Sequence, residues 1–178
     1  GKIIENPCKN CRGTGYIRTE KKLDVSIPAG IDNGQRISLQ GQGNDGKNGG
    51  SSGDLIIYIN VGRHKIFERD GFDLYCEIPI TFAEAALGAE IDVPTLEGSE
   101  KLTIPEGTQT GTVFTMKGKG IQMLSSKGKG SLYVTVVVEV PRNMNNDQKE
   151  KLKIFAESCN SKNHAKKESF FKKFFKGE

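Results

Sequence analysis

The chain has 178 residues, 35 % hydrophobic and 27 % charged, with 22 Gly, 6 Pro and no Trp; this is too apolar for wholesale disorder and leaves room for one large domain or two small ones. Its formal charge of +4 is too small an excess to mark a nucleic-acid binder by itself. The longest apolar runs, Leu55 to Ile59 and Val134 to Val138, fall far short of the roughly 20 residues of a bilayer-spanning helix, so no membrane partner is expected, and without a signal-peptide pattern the expected compartment is cytoplasmic.

Cys8-Lys9-Asn10-Cys11 comes first along the chain and has the spacing of a zinc-ligand pair, with Gly13 and Gly15 allowing a tight turn behind it. A structural zinc takes four ligands. The next cysteine, Cys76, is 65 residues on, and His64 and His164 have no ligand-like spacing to the pair. Half a zinc site, a redox dithiol and an incidental turn are all compatible with this spacing, although a redox site would need a βαβ context that the pattern lacks.

An internal repeat follows at an offset of 77 residues. Ile27-Pro28-Ala29-Gly30 with Gly34, Gly41, Gly43, Gly53, Leu55 and Val61 returns as Ile104-Pro105-Glu106-Gly107 with Gly111, Gly118, Gly120, Gly130, Leu132 and Val138. Nine of the 35 aligned positions are identical, most of them Gly or Pro, so what is repeated is a backbone shape. Two copies of one all-β module are expected. In the first, residues 54 to 61 alternate as a core strand; in the second, residues 131 to 140 are β-branched almost throughout.

Between the copies lies His64-Lys65-Ile66-Phe67-Glu68-Arg69-Asp70-Gly71, read either as a solvated linker anchored by one Phe or as part of an exposed apolar pocket around Phe67. Leu74, Cys76, Ile78 and Ile80 then alternate as a strand. Thr81 and Glu84 fit a capping box for a short helix that Gly88 stops, and Ile91 to Val93 resumes strand. After Pro141 the period changes: Asn145 and Gln148 resemble a second N-terminal cap, and Leu152, Phe155, Ala156 and Cys159 form one apolar stripe of a helix over 145–159. A Ser/Lys/Asn linker and a basic aromatic tail, Ser169-Phe-Phe-Lys-Lys-Phe-Phe-Lys, complete the sequence. No Ser/His/Asp set, paired carboxylates or phosphate-cradling loop can be assembled, so catalysis is not expected.

Taken in order, Cys8-x-x-Cys11-x-Gly13-x-Gly15, Ile27-Pro28-Ala29-Gly30, Gly53-Asp54-Leu55, His64-x-x-Phe67-x-Arg69-x-Gly71-x-Asp73-Leu74, Ala85-Ala86-Leu87-Gly88 and Val93-Pro94-Thr95-Leu96-x-Gly98 closely resemble the C-terminal part of the DnaJ family of zinc-containing J-domain co-chaperones. The resemblance runs the whole length, tail phenylalanines included. It implies an all-β fold of two tandem β-sandwich modules with a short internal helix and a C-terminal amphipathic helix. The implied divisions are 1–22, a remnant of a cysteine-rich zinc region; 23–66, a partial first sandwich; 67–141, the second sandwich; 142–160, a dimerisation helix; and 161–178, the basic tail. Family members bind unfolded polypeptides and pass them to a DnaK-type ATPase chaperone through a J-domain with a His-Pro-Asp tripeptide, which does not occur here. The chain is thus expected to be a fragment that begins inside the last of four Cys-rich repeats, with Cys8 and Cys11 as half of a zinc site. Phe67 is the residue carried over to the family's client groove, with Ile37 and Leu39 as weaker candidates from a neighbouring alternating strand. Leu152 and Phe155 are the candidates for a homodimer contact. A plain β-sandwich scaffold and a nucleic-acid-binding module using the basic tail are the alternative functions.

Overall fold

In the computed structural model, which describes residues 8–176, the order of elements is β1 (Arg36–Leu39), β2 (Leu55–Tyr58), β3 (Glu68–Asp70), β4 (Asp73–Thr81), α1 (Phe82–Leu87), β5 (Ala89–Thr95), β6 (Gly98–Ile104), β7 (Val113–Met116), β8 (Leu132–Glu139), α2 (Asn146–Ser158) and α3 (Ala165–Lys176). The outer ends of the expected zinc remnant and of the tail, residues 1–7 and 177–178, lie outside the described residues. The chain is β-rich with short helices, and it divides into two compact units. One holds the chain up to Val61 together with Met123–Lys127; the other holds Gly62–Gln122 and the chain from Gly128 onward.

In the first unit β1 and β2 form an antiparallel ladder with Arg36 opposite Tyr58 and Leu39 opposite Leu55. In the second unit β7 and β8 form the same ladder, with Val113 opposite Thr135 and Met116 opposite Leu132. Adding the offset of 77 to the first register gives the second. The flanking turns repeat as well. The Gly34 N–H donates to the Ile59 carbonyl at 2.9 Å and the Gly111 N–H to Val136 at 2.8 Å; Gly43 donates to Gly53 at 2.7 Å and Gly120 to Gly130 at 2.9 Å. Gly34 and Gly111 hold φ of 78° and 82°, a left-handed conformation that a side chain would strain. The repeated Gly and Pro positions therefore encode one hairpin twice.

The second unit adds partners to that hairpin. β4 runs parallel to β8 from Leu74 opposite Leu132 to Thr81 opposite Glu139, giving a four-stranded sheet in the order β3-β4-β8-β7, and β5 and β6 form a separate hairpin. Alternation decides what is buried: Leu74, Cys76 and Ile80 of β4 and Leu132, Val134 and Val136 of β8 point one way, and Tyr75 and Tyr133 stack on the other face with ring centroids 5.0 Å apart. Val93 of β5 joins Leu74, Cys76, Leu132 and Val134 in one cluster, while Ile104 at the end of β6 joins Ile80, Ala85 and Val136 in another. Ile78, Ile91, Leu102 and Phe114 touch both. Among the described residues every buried apolar side chain belongs to this unit.

Both expected capping boxes form. At α1 the Thr81 hydroxyl accepts from the Glu84 N–H and the Glu84 carboxylate accepts from the Thr81 N–H; at α2 Asn145 and Gln148 make the same exchange. α1 ends at Gly88, as read from the sequence. The tail differs from its reading as a linker and an aromatic tail in being helical from Ala165 to Lys176, because that stretch has neither Gly nor Pro and places its phenylalanines at helical spacing.

Candidate polypeptide-binding site

β1 and β2 put Ile37 and Leu39 on one face with Ile57 and Leu55 opposite them. All four are half-buried and none is fully buried. At the end of the ladder where Arg36 meets Tyr58, an open groove of about 680 Å³ is lined by Pro28, Ile31, Ile37, Tyr58 and Leu124 together with Gly34, Gln35 and Arg36. Tyr58 is 73 % exposed, so a large amphipathic ring stands beside this apolar floor. The Pro28-to-Gly34 turn shapes the groove: Ile31 donates to the Pro28 carbonyl and Asp32 to the Gln35 side chain, which fold the loop on itself just before β1. An apolar trough beside a two-stranded ladder suits an extended chain, which can place alternate side chains in the trough and pair its backbone along a strand edge.

The sequence-predicted candidates divide. Ile37 lines the groove, and Leu39 shares its face without reaching the groove itself. Phe67 does not belong there, and the expectation of an exposed Phe67 is corrected. It is only 7 % exposed and sits in the core of the second unit with Leu74, Cys76, Val93, Leu132 and Val134. Its ring stacks on His64 at 5.0 Å, and His64 Nδ1 accepts from the Ile66 and Phe67 N–H groups at 3.2 Å each. The tight turn from β3 back into β4, with Asp70 opposite Asp73, carries Phe67 onto the sheet. A core position and an apolar pocket both demand an apolar side chain, so sequence could not separate them. Tyr58 and Leu124 were not singled out from sequence. Tyr58 was legible only as the outward position of an alternating strand, and Leu124 comes from a loop of the second copy that no local pattern ties to the first.

Cys8 and Cys11 lie on a turn in which Arg12 donates to the Cys8 carbonyl at 2.7 Å and Thr14 to the Cys11 carbonyl at 3.0 Å. The Cys8 thiol is exposed, and the Cys11 and then the Asn10 backbone N–H groups hold it below the ordinary cysteine range, toward the thiolate that metals bind. The turn fits a ligand pair. It does not make a closed site, because among the described residues no group of three or more His, Cys, Asp or Glu comes together. Leu152 and Phe155 lie on α2, 41 % and 46 % exposed, with the Phe155 ring edge-on to Phe82 at 6.1 Å.

A profile of the DnaJ C terminal domain matches residues 5–141. The chain belongs to the DnaJ C-terminal domain family. It is 60 % identical over 173 residues to the chaperone protein DnaJ of Acetivibrio thermocellus, covering 97 % of this chain and 45 % of that protein. The DnaJ of Clostridium acetobutylicum is 50 % identical over 173 residues, covering 97 % and 46 %, and that of Halalkalibacterium halodurans 49 % identical over 180 residues, covering 99 % and 49 %. The chain thus spans just under half the length of these DnaJ relatives. The family resemblance read from the motifs is borne out, and neither the scaffold nor the nucleic-acid alternative gains support from these matches.

Proposed function

We propose that this chain is the client-holding part of a DnaJ-type co-chaperone: it captures unfolded polypeptide segments, and in the longer protein hands them to a DnaK-type ATPase chaperone. The observation that carries the reading is the accessible apolar trough at Ile37 and Tyr58 in a chain of the DnaJ C-terminal domain family. Capture needs no covalent chemistry; it needs apolar surface that unfolded chains bury and folded proteins do not offer. The tandem arrangement of two β-sandwiches belongs to the same proposal, supported by the common register of the two hairpins and by the packing of β5 and β6 residues on the four-stranded sheet. The test is suppression of aggregation of a chemically unfolded client by the 178-residue chain. Ile37→Ser with Leu39→Ser should cut it severalfold while melting of the second unit stays unchanged; unaltered suppression would contradict the assignment of the trough.

Two further parts of the proposal have their own measurements. Pairing through α2 is supported by the partial exposure of Leu152 and Phe155, whose remaining surface would contribute about 0.5–1.5 kcal/mol each on burial. Sedimentation should show a dimer that Leu152→Ser with Phe155→Ser abolishes, and a monomeric unmodified chain at tens of micromolar would contradict it. Zinc is the second part. Two thiolates leave a tetrahedral site half filled, so this chain alone should hold zinc weakly or only by bridging two copies. One tightly held zinc per monomer, found by metal and mass analysis, would overturn that.

A further inference from the structure

α2 and α3 are both exposed helices, but their charges differ in kind. α2 balances Asp147, Glu150 and Glu157 against Lys149, Lys151 and Lys153, whereas the sequence from Ala165 to Lys176 carries five Lys and a single Glu. Beyond Ala165, the apolar residues of α3 are all phenylalanines. Phe170, Phe171 and Phe174 fall at i, i+1 and i+4 and so share one side of the helix, where they are 66 %, 47 % and 73 % exposed. Lys166 and Lys173, about two turns apart, lie together along the flank of that side next to Phe170, Lys167 lies among the phenylalanines four residues before Phe171, and all three are exposed. Neither client capture at the first hairpin nor pairing through α2 uses this arrangement.

We propose that α3 binds the surface of an anionic lipid bilayer, lying flat with its phenylalanines in the interfacial region and its lysines at the headgroups. Twelve residues of helix reach about 18 Å, too short to cross the roughly 30 Å hydrocarbon core, so the helix lies in the surface plane. A short helix whose aromatic side is flanked by lysines, long side chains that can bury their stems beside the rings and keep the ammonium at the headgroups, has the pattern of interfacial anchors. The shortness of the apolar runs, and the lack of a membrane-crossing helix among the described residues, bear on spanning and leave surface binding open. Two other occupants fit the charges less well. A second copy of α3 would bring together two helices of the same net positive sign. A single-stranded nucleic acid calls for a positively charged groove that tracks its backbone, whereas α3 offers a single exposed convex helix.

The test is flotation of the full 178-residue chain with vesicles of phosphatidylcholine containing one third phosphatidylglycerol, beside vesicles of phosphatidylcholine alone. The chain should float with the anionic vesicles only and be released by raised salt. Binding should fall roughly tenfold for Phe170→Ser with Phe174→Ser and for Lys166→Glu with Lys173→Glu, with melting unchanged because all four side chains are exposed. Leu152→Ser with Phe155→Ser on α2 should leave flotation intact. Equal binding to neutral vesicles, no flotation with anionic ones, or flotation insensitive to both α3 variants would overturn the proposal. So would loss of self-association, rather than of lipid binding, in the phenylalanine variant.

Discussion

Leu55 and Leu132 are the same residue at the same place in the two copies, one opposite Leu39 and the other opposite Met116 on ladders of identical register. Leu132 is fully buried and Leu55 is only half-buried. The difference does not come from the hairpin, which is alike down to its turn hydrogen bonds. It comes from what lies beside it: β8 has β4 along its full length and the β5 and β6 residues across its face, whereas β2 pairs with β1 alone among the described residues. Gly and Pro set the backbone locally, and neighbouring strands decide whether the apolar face becomes core or an accessible surface. The second copy buries that face, and the first leaves it half-buried.

The largest expected effects separate the copies. Phe67→Ala should cost about 3–5 kcal/mol and Leu132→Ala about 2–5 kcal/mol, both in unfolding of the second unit. Leu55→Ala should cost about 1 kcal/mol or less, measured by hydrogen exchange at β1 and β2, because a half-buried side chain leaves little cavity. Equal costs for Leu55 and Leu132 would break the comparison.

The next effect joins the copies. A Cβ at Gly43 would lie 2.8 Å from the Asp54 carbonyl oxygen, and one at Gly120 would lie 2.5 Å from the Gly130 carbonyl carbon. Gly43→Ala and Gly120→Ala should each destabilise their own hairpin by roughly 1–3 kcal/mol, read as lost amide protection around the turn. A loss confined to one copy would mean that the two turns are not equivalent.

Much of this was legible because it is local. The turn glycines, the alternation of β4 and β8, the Thr81-Glu84 and Asn145-Gln148 boxes and the Gly88 stop all act within a few residues, and each stands where the pattern put it. The parallel pairing of β4 with β8 joins residues 58 positions apart, Leu74 with Leu132, and no periodicity reports it. Phe67 shows the same limit: its apolar character was plain, but the strands that enclose it decide whether it is pocket or core. Of the site, Ile37 and Leu39 came from alternation, and Leu124 required the fold.

The smallest effect contrasts the two capping boxes. The Thr81 backbone N–H, with help from its hydroxyl, holds the Glu84 carboxyl below its ordinary value of 4.5. Its folded value is thus lower than its unfolded one, so its contribution is complete above about pH 4.5 and is lost as pH falls through the folded value. The α2 box uses Gln148, which does not titrate. Amide protection in the first turn of α1 should therefore fall on acidification while that of α2 holds, and Glu84→Gln should remove the difference. Equal acid sensitivity of both helix starts would show that capping charge is not its source.

The central claim is that the hairpin of the first copy receives client while its twin in the second copy does not. Hydrogen exchange with and without an unfolded polypeptide tests this most directly. Added protection is expected at Arg36–Leu39, Leu55–Tyr58 and the Pro28-to-Gly34 turn, with no change at Val113–Met116 or Leu132–Glu139. Protection gained in the second hairpin, or in neither, would contradict it.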